Sequence, residues 1–252
     1  IYESKTSGKE YDKDGHLIFE GEYLNGEKNG KGTEYDKDGH LIFEGDYLKD
    51  KKRGKGTEYD NLGYIKFRGE YLNNQKINGK EFKKGELLFE GEFLNGKKWK
   101  GMGKEYLYYK SDEFKREIRI YEGEYKEGEK NGEGKEYCED YDRDSPMDNF
   151  KLWNDALIFE GEYKNGERWK GKEYDKYDGI IIFEGEYKDG KRWNGKANYF
   201  IFFPSTRFEG EYINGEMKGK EFNSKNGLVF EGEYKDGERW NGKGKEFNSE
   251  NE

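Results

Sequence analysis

Four tryptophans occupy one position of a recurring loop: Trp99, Trp169, Trp193 and Trp240, each preceded by a cation (Lys98, Arg168, Arg192 or Arg239). An indole beside a cation can stack on a sugar, a peptide or a partner's surface. It can equally plug one rung of a repeated structure. Ile77 and Met217 stand at the corresponding place of two other copies, which favours a need for apolar bulk over ring chemistry. A second candidate is Tyr199-Phe200-Ile201-Phe202-Phe203-Pro204, the only five-residue run of apolar and aromatic residues in the chain, closed by a proline. Tyr199, Phe200, Phe202 and Phe203 would either cover a local core or dock a partner.

Other groups that could do chemistry carry less. Paired glutamates (Glu20 and Glu22, Glu90 and Glu92, Glu122 and Glu124, Glu160 and Glu162) have the residue types of a glycosidase. They recur in almost every copy with lysines nearby, and catalysis needs one copy set apart by its environment. A solvated charge ladder is the expectation, with no catalytic residue and no cofactor. Asp140-Tyr141-Asp142-Arg143-Asp144-Ser145 alternates oxygens as a calcium loop does, but the closing position is Lys151 and Pro146 interrupts it. His16 and His40 follow turn glycines and read as surface residues, and Cys138 is alone. No disulfide framework or cysteine-based zinc site can form.

What must position these residues is set by an unusual composition. Charged residues make up 41% of 252, the usual hydrophobic set 31%, and the net charge is −9. So little aliphatic material excludes a thick apolar core, and no run approaches the roughly 20 apolar residues of a transmembrane helix. The mild acidity disfavours nucleic acid and anionic lipid, both of which need a basic footprint. Yet aromatics reach 17% and glycines number 37, which is not the composition of a disordered tail. The chain begins at Ile1, as a fragment or processed product would. Its compartment is left open, with the cytoplasm favoured.

Repeats account for the aromatics. The pentapeptide Phe19-Glu20-Gly21-Glu22-Tyr23 recurs around Gly45, Gly69, Gly91, Gly123, Gly161, Gly185, Gly210 and Gly232. A second element, Gly-Lys-Glu-aromatic or a close variant, alternates with it from Tyr11 to Phe247. Such a period means an array of identical supersecondary units. Each element reads as a short strand with Phe, Gly and Tyr on one face and Ile and both Glu on the other. Asp-Lys-Asp-Gly (Asp12 to Gly15, Asp36 to Gly39) reads as a compact hairpin turn, and Asn-Gly-x-x-x-Gly, as at Asn25 to Gly30, as a longer loop. A two-residue turn at Asp38-Gly39 would set Lys31 against Asp46, Gly32 against Gly45, Thr33 against Glu44 and Tyr35 against Ile42. A Gly-bulge turn would shift this by one residue.

The expected fold is all-β: an elongated single-sheet solenoid, a meander of about nine tandem hairpins plus an N-terminal half-repeat. It would span 1–252 as one array with insertions at 107–118 and 138–156.

Residues Phe19 to Gly32 resemble the MORN (membrane occupation and recognition nexus) repeat, whose pattern runs Y-E-G-E-W-K-N-G-K-R-H-G-K-G. Tyr121 to Gly134 and Phe230 to Gly244 are the next best matches. The Asp-Gly-x-Leu-Ile-Phe-Glu-Gly-Glu-Tyr phrasing is also similar to related bacterial repeats of antitoxin-like and surface proteins. Two departures stand out. The segment from Gly39 to Gly45 is one residue longer than usual, and the copies at Gly79, Gly171, Gly195 and Gly219 lack the second loop glycine. The resemblance implies a β-hairpin scaffold, found alone or beside catalytic domains such as SET methyltransferases and lipid kinases; no such domain is present in this sequence. The expected function is therefore a non-catalytic scaffold. It would present a long aromatic-and-glycine groove to a protein partner or to another copy of itself through many weak rungs. Glycan or phospholipid binding is the alternative. The chain opens and closes on strands of the second type (Gly8 to Tyr11, Gly242 to Phe247) without a polar cap, which would invite end-to-end pairing.

Overall fold

The computed structural model describes residues 4–110, 115–138, 156–201 and 206–244. Nineteen strands and, among the described residues, no helix make an open antiparallel sheet in which strands pair with their neighbours in sequence. Among the described residues no helix is long and apolar enough to cross a membrane. Two compact units divide the chain: 1–104 with 124–129, and 105–123 with 130–252. The first holds β1 (Lys5–Tyr11), β2 (Leu17–Leu24), β3 (Glu27–Tyr35), β4 (Leu41–Leu48), β5 (Lys51–Tyr59), β6 (Ile65–Leu72), β7 (Gln75–Lys83) and β8 (Glu86–Leu94). β9 (Lys97–Lys110) and β10 (Lys115–Lys126) have residues in both units, and β11 (Glu129–Tyr137) begins at the boundary. The second unit continues with β12 (Leu157–Lys164), β13 (Glu167–Tyr174), β14 (Ile181–Lys188) and β15 (Lys191–Ile201). It ends with β16 (Thr206–Ile213), β17 (Glu216–Phe222), β18 (Leu228–Lys235) and β19 (Glu238–Gly244).

The two turn types exchange roles relative to the sequence reading. Asn25-Gly26 is the tight one: both residues have positive φ (52° and 87°) and Leu24 pairs directly with Glu27, the twist-matched two-residue hairpin. Asp36 to Gly39 is the longer one, a Gly39 N–H···O=C Asp36 bond of 3.1 Å followed by Gly39 at φ 83°. Asp36 Oδ1 accepts the N–H groups of Asp38 and His40 at 2.9 Å each, an aspartate-stabilised turn. Lys31, Gly32 and Thr33 do oppose Asp46, Gly45 and Glu44, but Tyr35 pairs with Leu41 rather than Ile42. The extra turn residue moves the register by one, and a bulge at Ile42 moves it back.

The core is a single row of rings on one face. Phe19, Phe43, Phe67 and Phe89 in the first unit and Phe159, Phe183 and Phe208 in the second are at most 1% exposed. All but Phe89 lie against a cross-strand glycine pair: an ideal Cβ on Gly32 would sit 2.5 Å from Phe19 Cζ and 2.9 Å from Tyr47 Cε2. In the first unit the rings form an unbroken edge-to-face chain from Tyr23 through Phe19, Tyr47, Phe43, Tyr71, Phe67, Phe93 and Phe89 to Tyr125. Centroids are 5.1–6.0 Å apart and interplanar angles 81–89°. In the second unit Tyr121, Tyr163, Phe159, Tyr187, Phe183 and Tyr212 continue the geometry, and Phe208, Tyr234 and Phe230 form a further run. Such contacts contribute about 0.5–1.5 kcal/mol each beyond burial. The run breaks where β15 meets β16: Ala197, not Gly195, pairs with Gly210, a register step of two residues. Tyr199 then packs on Phe208 at 5.3 Å, tilted 35°.

Both ends of the segment expected as an insertion at 107–118 are strand backbone. Of the second, 139–155 lies outside the described residues, including Asp140 to Ser145; its ends are joined by Cys138 N–H···O=C Ala156 at 2.9 Å. Gly32→Ala should lower stability by about 1–3 kcal/mol through overpacking of Phe19 and Tyr47. Gly26→Asn, in open space at a position asparagine tolerates, should change it by less than about 0.5 kcal/mol. Denaturant unfolding of both variants checks this.

Candidate functional site

The aromatic face is closed to ligands by its own charges. The Lys28 ammonium lies 3.9 Å from the Phe19 centroid and 2.9 Å from Glu10, whose other oxygen accepts the Tyr23 hydroxyl at 2.8 Å. Lys52, Phe43, Glu34 and Tyr47 repeat this at 3.8, 2.8 and 2.7 Å. Lys76 over Phe67 and paired with Glu58, and Arg192 over Phe183 and paired with Glu173, are further copies. Arg239 and the buried Glu221 make another. The glutamate of the second sequence element thus caps the core. Its position opposite Phe in the register (Glu34 against Phe43) is the signal the sequence carries for this role.

These quartets shift the titration of their members. Burial alone would push the Glu58 carboxyl up, but the hydrogen bond and charge of Lys76, with the Tyr71 hydroxyl, outweigh it and hold Glu58 below its ordinary range. Glu10 is lowered in the same way, by Lys28 and Tyr23 against burial. Burial first, then Glu10, pushes the Tyr23 phenol up to about 12. Tyr47, Tyr71 and Tyr187 are also raised by burial and by Glu34, Glu58 and Glu173.

The opposite face carries the cavity. In the first unit a groove of about 1050 Å³ runs across β1 to β7, floored by Gly8, Gly21, Gly32, Gly45, Gly56, Gly69 and Gly79 and walled by charged and hydroxyl side chains. Its walls include Glu20, Glu44, Lys55, Arg68 and Glu70, with Thr33 and Thr57 between them. A second hollow of about 740 Å³ lies on the same kind of surface in the second unit, between Ile181 and Gly232. The expected groove combined rings with glycines; the structure puts the rings on one face and the groove on the other, and no aromatic residue lines the larger hollow. The ladder glutamates are on this surface, paired as in Lys9–Glu20 (3.0 Å), Lys80–Glu90 (3.0 Å) and Lys135–Glu160 (3.0 Å).

The four tryptophans share a structural cause. Each is the extra residue of a bulge just after the tight turn: Glu162 pairs with Lys170 and Tyr163 with Arg168, leaving Trp169 unopposed, and Trp99, Trp193 and Trp240 repeat this. Ile77 takes the same place, but Met217 does not. That loop is one residue shorter, so Met217 pairs with Tyr212 in the register position of Arg192. Lys164, Lys188 and Lys235 lie 4.7, 4.4 and 4.8 Å from the indoles of Trp169, Trp193 and Trp240, so each of those rings has one face occupied by its own chain. Trp193 is half-buried, with an ideal Cβ of Gly215 only 3.2 Å from its ring, whereas Trp240 is 69% exposed.

The other aromatic candidates separate. Tyr199 joins the core, its hydroxyl 3.6 Å from Met217 Sδ, while Phe200 is 65% exposed; Phe202 and Phe203 lie outside the described residues. His16 and His40 are exposed and bond Asp12 and Asp36 at 3.0 and 3.1 Å within their turns. Asp14 and Asp38 complete two groups with metal-ligand atom types, but the first aspartate of each already accepts two backbone N–H groups.

Five segments, residues 19–41, 43–61, 121–143, 183–193 and 208–220, match the MORN repeat. The hairpins around Gly69, Gly91, Gly161 and Gly232 lie outside those segments and have the same glycine-on-glycine register. No curated protein matches the chain.

Two outcomes follow from the site chemistry. Glu58 binds its proton more weakly folded than unfolded, so its contribution is present above the ordinary carboxylate range and is lost as pH falls through the folded value. The raised tyrosines contribute below about pH 10 and lose that contribution as pH rises. Melting temperature against pH should therefore be flat between these limits and fall on both sides, with a shallower acid limb in Glu58→Gln. Trp193→Ala should cost about 1–2 kcal/mol and Trp240→Ala less than about 0.5, measured by denaturant unfolding; equal losses would contradict the unequal packing.

Proposed function

We propose that this chain of MORN repeats is a non-catalytic scaffold that holds an extended segment of a protein partner in the glycine-floored groove of its first unit. The two units are read as consecutive stretches of one repeat array spanning 1–252. The observation that carries the reading is the groove itself. It crosses seven strands, has a backbone floor at the glycines, and is open because Thr33 and Thr57 stand where Lys172 stands in β13. Short side chains there leave the glycine floor uncovered, and its polar surroundings suit a peptide whose amides need partners. Binding would add small contributions from successive rungs. Among the described residues no rung is set apart by a single perturbed acid or base, which supports a binding role over catalysis.

The aromatic face does not serve this purpose, since its rings are buried under lysines and arginines. The tryptophan edge gives weaker support to the glycan alternative, because stacking on a sugar would have to displace Lys164 or Lys188 from the indole or use the ring's other face.

Thr33→Lys with Thr57→Lys restores the residue type of β13 and should leave the fold intact while filling the groove. Peptides selected from a random dodecapeptide display library on the unaltered protein should bind this double variant at least about tenfold more weakly, measured by fluorescence anisotropy. Undiminished binding would reject the groove as the site.

A further inference from the structure

The middle row of groove side chains departs from the rule kept in the second unit. There the cross-strand neighbours Lys135, Glu160, Lys172, Glu184 and Lys196 alternate in sign without exception. In the first unit the same row reads Lys9, Glu20, Thr33, Glu44, Thr57, Arg68, Lys80, Glu90. Two irregularities result. Arg68 replaces the glutamate of every other copy and faces Thr57 on one side and Lys80 on the other, so two cations oppose each other directly. Glu44 lies between two threonines and, among the described residues, has no cation within 4 Å; its Oε1 accepts the Tyr59 hydroxyl at 2.6 Å.

Directly opposed like charges are destabilising, and the surroundings relieve this only in part. Lys80 reaches Glu90 at 3.0 Å. Arg68 makes no ion pair within 4 Å among the described residues; Glu70, two residues on along β6, is the nearest acid in sequence and itself opposes Lys55 and Asn78. Lys66, two residues before Arg68, stands where Ile18 and Ile42 stand in the first two copies and adds a third cation to the stretch.

Resting on the groove as the binding site, we propose that Arg68 and Lys80 form a subsite for a carboxylate side chain of the bound segment, and Glu44 a subsite for a lysine or arginine. Charge complementarity fixes the spacing. Glu44 on β4 and Arg68 on β6 are two strands apart, about 10 Å at the usual strand separation, and a segment in the extended polyproline II conformation, with three residues per turn at about 3.1 Å each, returns a side chain to the same face after about that distance. The preferred segment carries a basic and an acidic residue at positions i and i+3, in either chain direction. A guanidinium beside an ammonium suits a carboxylate, since the planar fork donates to both of its oxygens while the lysine adjusts to either.

Arg68→Glu tests this without endangering the fold, because glutamate occupies the equivalent place in β2, β4 and β8. Peptides selected from the random dodecapeptide library should be enriched in the i, i+3 basic–acidic pair. They should lose about tenfold or more in affinity for Arg68→Glu, and recover it when their acidic residue is changed to lysine. Peptides that are weakened by Thr33→Lys with Thr57→Lys but bind Arg68→Glu as well as the unaltered protein would overturn the subsite and leave the groove reading standing. Peptides indifferent to both variants would overturn the two together.

Discussion

The contact on which everything else depends is a phenyl ring laid across a pair of glycines. Gly21 and Gly32 oppose each other on β2 and β3, and the Phe19 ring fills the space their missing side chains would need. Backbone approach at these pairs is as demanding as ring packing: an ideal Cβ on Gly69 would lie 2.1 Å from the Asn78 carbonyl oxygen. One residue type thus serves two strands and a ring at once. That is how a chain with few aliphatic residues folds, because each repeat needs only one fully buried ring, wedged edge-to-face against the tyrosines of its own and an adjacent hairpin.

The same contact explains the distribution of charge. A single row of rings is too thin to exclude water by itself, so in most hairpins the lysine or arginine after the tight turn lies over the phenyl face and the glutamate opposite the ring neutralises it. Charges on this face belong to the core and are constrained by it: Glu221, paired with Arg239, is 4% exposed. Charges on the other face are under no such constraint. Pairs such as Lys172–Glu184, at 4.0 Å and about half exposed, contribute little to stability.

Much of this was legible in the sequence. The pentapeptide period gave strand number and faces, and opposite charges in a trial register placed Lys31 against Asp46. What escaped were places where one inserted residue hides another. A three-residue turn at Lys37 to Gly39 and a bulge at Ile42 cancel, so a correct register emerges from an incorrect turn. The tryptophans looked like loop residues because a bulge inside a strand is invisible to a period-two pattern. Met217 was aligned with them because a loop shortened by one residue keeps its apolar content. The lining of the groove was not legible for a different reason. Rings and glycines alternate with charges along the strand, and nothing in that alternation tells which face is filled by its own side chains and which stays hollow.

Seen from energetics, the two faces differ in how freely they can vary. On the ring side, each position is held by a close contact, and a lengthened β15, whose pairing with β16 steps by two residues, forces neighbouring rings to regroup, as Tyr199 and Phe208 do. On the groove side, an exchange of glutamate for arginine at position 68 disturbs only solvent-exposed pairs, which are worth a few tenths to about 1 kcal/mol. Departures from the repeat on that side cost the fold little, so the fold alone does not fix which residues stand there. A row that alternates strictly in the second unit and is interrupted by Thr33, Thr57 and Arg68 in the first is therefore where information about a partner can be written. The aromatic ladder supplies the rigid spacing that such information needs.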